Sequence, residues 1–151
     1  MAKKKLPVEP GIFPDLNIIG IAAQIKDYRL AFLINNLFGF KLKKKDDLPI
    51  FIARSGLYMH YPIFTFKDAN LRVNYYLMGN THAAKPMVPT FKHADYLMLI
   101  MCSPQLNRTQ EFLNTLQAQP EILLAFSIEK NKVKNLEDIM IDLELHMANS
   151  K

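Results

Sequence analysis

The residues whose types could do chemistry are few, and their spacings fit almost none of the common catalytic arrangements. Four histidines, His60, His82, His93 and His146, include no pair at the i, i+4 spacing of a helical zinc site. Cys102 has no second cysteine with which to share a metal or a disulfide. It closes the apolar run "LMLIM", which predicts a buried small hydrophobe rather than the electropositive, half-exposed setting of a reactive thiolate. Ser55, Ser103 and Ser127 lack the G-x-S-x-G turn of a hydrolase nucleophile. The five glycines form neither a Walker-type loop nor G-x-G-x-x-G. The expectation is no catalytic residue, no metal and no cofactor.

What is left is a set of candidate ligand- or partner-facing residues. "KHADY" places His93, Asp95 and Tyr96 where a polar segment meets the apolar run "LMLI". An acid at a strand start can face a cleft at the sheet end. It can equally accept hydrogen bonds from the residues 79–93 that precede it and fix their entry into the sheet. Lys26, Asp27 and Arg29 open a helical segment, where an anion could bind the helix N-terminus; Asp27 opposes that, so a solvated first turn is the plainer reading. Lys41, Lys43, Lys44 and Lys45 are candidate nucleic-acid contacts if aromatic side chains share their face. The nearby aromatics Tyr58, Tyr61, Phe64, Tyr75 and Tyr76 belong to strands whose alternation sends at least Tyr75 into the core, and no RNP-like sequence occurs.

The elements that must position these residues follow from periodicity. Residues 15–23, "DLNIIGIAA", are apolar at both alternating sets and predict a strand buried on both faces. The next segment, "QIKDYRLAFLINNLFGF", repeats apolar residues at helical spacing: Ile25, Tyr28 and Phe32 in one row, Leu30, Leu33, Ile34 and Leu37 in the other. Asp27 suits the first turn and Gly39 suits a left-handed end. Strands are expected at 48–54, 57–66 and 71–78, with Pro62 demanding an edge or a bulge. In 71–78, Leu71, Val73, Tyr75 and Leu77 point inward while Arg72, Asn74 and Tyr76 point outward, which predicts a partly exposed sheet face. Residues 79–93 form the longest loop and are a functional candidate for that reason. A central strand at 95–102, a helix over 103–119 ended by Pro120, and a strand at 121–129 follow. Residues 136–147 alternate partly as a strand would, yet Leu136, Ile139, Met140, Leu143 and Met147 share a helical stripe. Asn135 with Asp138 resembles a capping pair, and strong helix formers favour the helix.

The chain has 151 residues, half of them hydrophobic, and a net charge of +5. That suffices for one domain with a real core. Residues 1–13, with prolines 7 and 10, read as a flexible tail, and 14–147 as a single α+β domain. The expected architecture is a mainly antiparallel sheet of about five or six strands with helices packed on one face. One cysteine, no complete signal peptide and no apolar run of spanning length point to a soluble, cytoplasmic protein without a membrane partner.

Two segments together resemble a bacterial family named for the pattern IPExxxVDY. "IIGIAAQIKDYRLAFLINNLFG" (18–39) is similar to its strand-plus-helix opening, with "KDYRL" at 26–30 the more specific part. In "VPTFKHADYLMLI" (88–100), Val88 stands for Ile, Pro89 matches, Thr90 replaces Glu, Ala94 stands for Val, and Asp95 and Tyr96 match. The resemblance spans about residues 16–129 and implies a small cytoplasmic bacterial protein with no known activity. Function is therefore expected to be non-catalytic: a binding or protein-interaction module with a protein partner or itself as a homodimer. Nucleic-acid (RNA) binding through the lysine-rich surface is the alternative.

Overall fold

The computed structural model describes residues 13–52, 55–83 and 85–149. The elements are β1 (Leu16–Ala22), α1 (Asp27–Phe38), β2 (Lys43–Ile52), β3 (Leu57–Asp68), β4 (Val73–Gly79), β5 (Tyr96–Met101), α2 (Thr109–Gln117), β6 (Leu124–Ile128) and α3 (Leu136–Asn149). The six strands form one sheet in the order β2-β3-β4-β5-β1-β6, and every neighbouring pair is antiparallel. This is an α+β architecture. The expected N-terminal tail lies, apart from Phe13, outside the described residues.

Burial on both faces of β1 and β5 creates two cores. Ile19, Ile21, Tyr96, Met98 and Ile100 face one core with Leu30, Ala31 and Ile34 of α1 and Phe112, Leu113 and Leu116 of α2. Leu16, Ile18, Leu97 and Leu99 face the other, with Leu136, Ile139, Met140 and Leu143 of α3 and Met87, Val88 and Ala94 of the β4–β5 connection. The helices therefore do not share one face: α1 and α2 cover the first, α3 and the connection cover the second. Period-two alternation through strands apolar at every position requires this, because each apolar set must leave water.

Several local expectations change accordingly. Tyr76 is half-buried against the second core and Met78 fully buried in it, so the outward face of β4 is only partly exposed and is shared with that core. Leu71 and Arg72 belong to the turn before β4, where Arg72 has φ 57° and the Asp68 carboxylate accepts from the amides of Asn70 and Leu71. Tyr28 and Phe32 are 59% and 67% exposed instead of buried. One sheet can cover only about a third of a helix's circumference, and α1 spends that on Leu30, Ala31 and Ile34. The lysine run lies inside β2 rather than before it. Pro62 sits opposite the bulge between Lys45 and Leu48, where no ladder donor is needed. Residues 104–106 form a separate 3-10 turn ahead of α2, and Leu106 is exposed. Residues 136–149 are helical, but the Asn135 side chain does not cap them; it donates to the Met87 carbonyl (2.9 Å).

Candidate functional site

Asp95 fastens two segments: its backbone carbonyl accepts from Asn80 in the long connection, and its side chain, with that of Tyr96, holds another. Asp95 Oδ2 accepts from the Ala23 amide (2.9 Å), and the Tyr96 hydroxyl donates to the Ile25 carbonyl. Both hold the turn between β1 and α1. Burial, then the Asp27 and Asp95 charges, push Tyr96 up to about 12, so it stays a neutral donor. Asp27 is half-buried beside it and accepts from the Tyr28 amide (2.7 Å). The His82 ring leans on Tyr96 with centroids 4.9 Å apart. His93, Lys26 and Arg29 are exposed and are not drawn into this group.

The long connection is held by Asn80, a residue the sequence reading passed over. It is the buried polar residue among the described ones, at 0% exposure. Its side-chain amide donates to the carbonyls of Phe91 (3.0 Å) and Ala94 (2.9 Å), and its carbonyl oxygen accepts from the Val88 amide (2.8 Å). Its backbone adds Asn80 N–H to Asp95 O and Met87 N–H to Asn80 O, both at 2.8 Å. Five bonds from one residue close the loop on itself. Gly79 just before it admits no side chain: a Cβ would lie 2.5 Å from His82 Nδ1 and 2.7 Å from Pro62 Cγ. The clefts of the surface that have appreciable volume are lined by other residues.

The lysines are divided by the strand alternation. Lys43 and Lys45 pair with Thr65 and Ile63, on the face that carries acidic α3, while Lys44 pairs with Phe64 on the opposite face. Lys44 bonds Asp47 (2.9 Å) and its ammonium stands 5.6 Å from the Phe64 ring centroid. Lys41 is exposed ahead of the strand. Tyr61 and Phe64 are buried; Phe51 and Tyr58, 5.2 Å apart, remain exposed on the Lys44 face.

The cleft richest in aromatic side chains lies on the first face, where the end of α1, α2, β3 and β4 meet. Its volume is about 380 Å³. Gly39, in the left-handed conformation (φ 69°), turns the chain so that Phe38 and Phe40 both face it. Asn35 fixes that turn: its carbonyl accepts from the amides of Gly39 and Phe40, and its side chain exchanges two bonds with Leu42. Phe66 and Tyr75 are a cross-strand pair whose rings stack at 9°. Phe40 sits 4.1 Å from Tyr75 and Phe38 sits 4.3 Å from Phe112, centroid to centroid. The polar lining is Asp68, Arg108, Thr109, Glu111 and Thr115. Burial raises the Tyr75 pKa; the charges of Asp68 and Cys102 raise it further and Arg108 opposes them. Cys102 is also pushed up, by burial and by Asp15, the opposite of what a nucleophilic thiol needs.

A wider cleft of about 530 Å³ runs between β1, β6 and the start of α3, over Leu16, Ile18, Ile128 and Leu136. Its Lys130 ammonium is already bound to the Phe13 carbonyl (2.6 Å), and its rim mixes Glu129, Lys134 and Glu137. Among the described residues, Phe13 is the one aromatic residue of its lining. No group of three or more metal-ligating side chains and no helix long and apolar enough to cross a membrane occur among the described residues.

The chain matches no family model, no curated protein and no solved structure. The residues of the aromatic cleft were legible in sequence only through "FGF" at 38–40, where a helix-ending glycine stands between two rings.

Proposed function

We propose that the protein is a non-catalytic binding module that takes a flat apolar group into the aromatic cleft. The observation that carries this is the cleft itself: five aromatic side chains from four elements and the connection after α1, with a small number of polar groups in the lining. Ligand sites have this composition and size, and aromatic side chains supply contact area at low entropic cost. Asp95 and Tyr96 act in it as fasteners of the β1–α1 turn, not as ligand contacts. Membership of the IPExxxVDY family, a bacterial source and a cytoplasmic location belong to the same proposal and rest on "KDYRL" and on Pro89, Asp95 and Tyr96. The test is ring-resonance NMR with a panel of small aromatic fragments. Shifts centred on Phe38, Phe40, Phe66, Tyr75 and Phe112 support the cleft; shifts centred on residues 80–95 instead would remove it.

The second reading is single-stranded RNA on the exposed Phe51–Tyr58 pair, on the same sheet face as Lys44, since bases stack on such platforms. It requires retention on RNA that weakens steeply with salt and is lost in Tyr58→Ala. Salt-independent retention, or none at low salt, rejects it.

A further inference from the structure

We infer that the aromatic cleft selects an organic cation, an ammonium group carried on an apolar body, over neutral and anionic ligands of the same shape. The inference rests on the binding reading above and adds the ligand's charge. Two features of the lining point the same way. Phe38, Phe40, Phe66 and Tyr75 line the cleft half-buried, stacked on one another and on buried Phe112, and whatever ring face they leave to the cleft carries partial negative charge, which attracts a positive centre lying over it. The charged groups of the lining are two carboxylates, Asp68 and Glu111, against one guanidinium, Arg108.

Asp68 is the better placed of the two acids. Its Oδ1 is occupied by the Asn70 (3.1 Å) and Leu71 (3.2 Å) amides, which lock the carboxylate at the end of β3. Its charge still reaches the cleft, because it is the strongest charged influence raising the Tyr75 pKa. A cation beside Tyr75 would be paired by Asp68 and faced by rings. An anion there would meet Asp68, Glu111 and the ring faces, with Arg108 alone in its favour. Cys102, whose thiol is held protonated, adds no charge.

Three probes sharing one ring separate charge from shape: benzyltrimethylammonium, benzyl alcohol and phenylacetate, each titrated into the full chain by NMR. The expected result is that the cation binds about tenfold more tightly than phenylacetate, with benzyl alcohol between them. Asp68→Asn keeps the oxygen that accepts the two turn amides and removes the charge. It should weaken the cation about threefold or more and leave benzyl alcohol unchanged. Glu111→Gln, on the exposed side of α2, should shift the cation in the same direction by less. Phenylacetate or benzyl alcohol binding as tightly as the cation overturns the inference. So does an Asp68→Asn protein in which all three probes move together. Failure of all three probes to bind at the cleft overturns the binding reading itself, a distinct outcome.

Discussion

The two faces of the sheet are closed by different means. On the second face, polar bonds do the closing. Asn80 ties residues 80–95 to themselves, Asn135 ties them to α3, and Asp142 and His146 reach from α3 to the Phe51 amide and the Asp46 carbonyl on edge strand β2. On the first face, stacked rings do it, and they leave a cleft. Directional bonds between fixed backbone groups permit one arrangement, so the second face is closed where the β4–β5 connection crosses it, and its own cleft lies apart, between β1, β6 and the start of α3. Ring stacking tolerates offsets and tilts, so the first face can keep an open volume without an unpaired backbone group. The lesson is that the longest loop, the usual place to look for function, is here a structural closure. The candidate site sits instead where short connections deliver aromatic side chains.

The difference can be broken most forcefully at Asn80. Asn80→Ala leaves the Phe91 and Ala94 carbonyls and the Val88 amide without their partners in a site closed to water. Each such loss costs about 1 kcal/mol or more, so about 3 kcal/mol is expected in total. At this chain length that lowers Tm by about 6–12 °C in thermal unfolding. Hydrogen exchange at Val88 should accelerate well before the strands open. A Tm within about 2 °C of the parent would show that packing of Met87, Val88 and Ala94, not Asn80, holds the loop.

Phe40→Ala probes the other face. The ring is half-buried and borders existing open volume, so its removal enlarges a cleft rather than creating a sealed cavity. The expected cost is about 2 kcal/mol, below the usual range for a fully buried phenylalanine. Fragment binding should vanish while the far-ultraviolet circular dichroism is retained. A loss as large as that of Asn80→Ala would mean that the first face is as tightly specified as the second.

How much of this was readable in the sequence depends on whether the cause is local. The strands and the α1 and α3 helices were, because alternation, helical stripes and Gly39 act within a few residues. The covering of the second face also left a trace: Tyr76 and Met78 are apolar at positions that an exposed face would fill with polar residues, and both pack there. Asn80 was not readable. An asparagine after a glycine at a strand end looks like an ordinary turn residue, and its role depends on where the carbonyls of residues 91 and 94 return in space. The cleft was hidden for the same reason, since Phe40, Phe66, Tyr75 and Phe112 meet only through the strand order. For Asp95, the sequence marked a fastening point: its backbone carbonyl accepts from Asn80, as expected, while its carboxylate holds the β1–α1 turn, which no local pattern shows.

That fastening point gives a pH test. Tyr96 has its pKa raised in the fold to about 12, against an ordinary tyrosine value of 10.0. The neutral phenol is thus favoured by folding. Its contribution is fully present below pH ~10 and is lost as pH rises from about 10 through about 12. Tyr96→Phe should cost about 1 kcal/mol near neutrality, through the unpaired Ile25 carbonyl. It should also flatten the alkaline fall of stability in that window, measured as denaturant midpoint against pH. An unchanged alkaline slope would assign that fall to other groups, Tyr75 and Tyr76 among them, whose pKa values burial also raises.

The smallest effect should have the opposite sign. Thr109 Oγ1 is buried at the start of α2 with no hydrogen-bond partner among the described residues. A buried hydroxyl without a partner carries a desolvation penalty, and replacing it by a methyl of the same shape removes that penalty. Thr109→Val should therefore stabilise the fold by about 0.5 kcal/mol, a rise in Tm of about 1–2 °C. Were the rings of the first face chosen for stability alone, such a group would have no reason to sit on the cleft wall. If Thr109→Val is instead destabilising, the hydroxyl already has a partner in solution, and the contrast narrows to one between two satisfied faces, one held by directional bonds and one by rings. If it is stabilising and also weakens ligand binding, the aromatic face keeps a group at a cost to the fold that no buried side-chain group of the other face bears among the described residues.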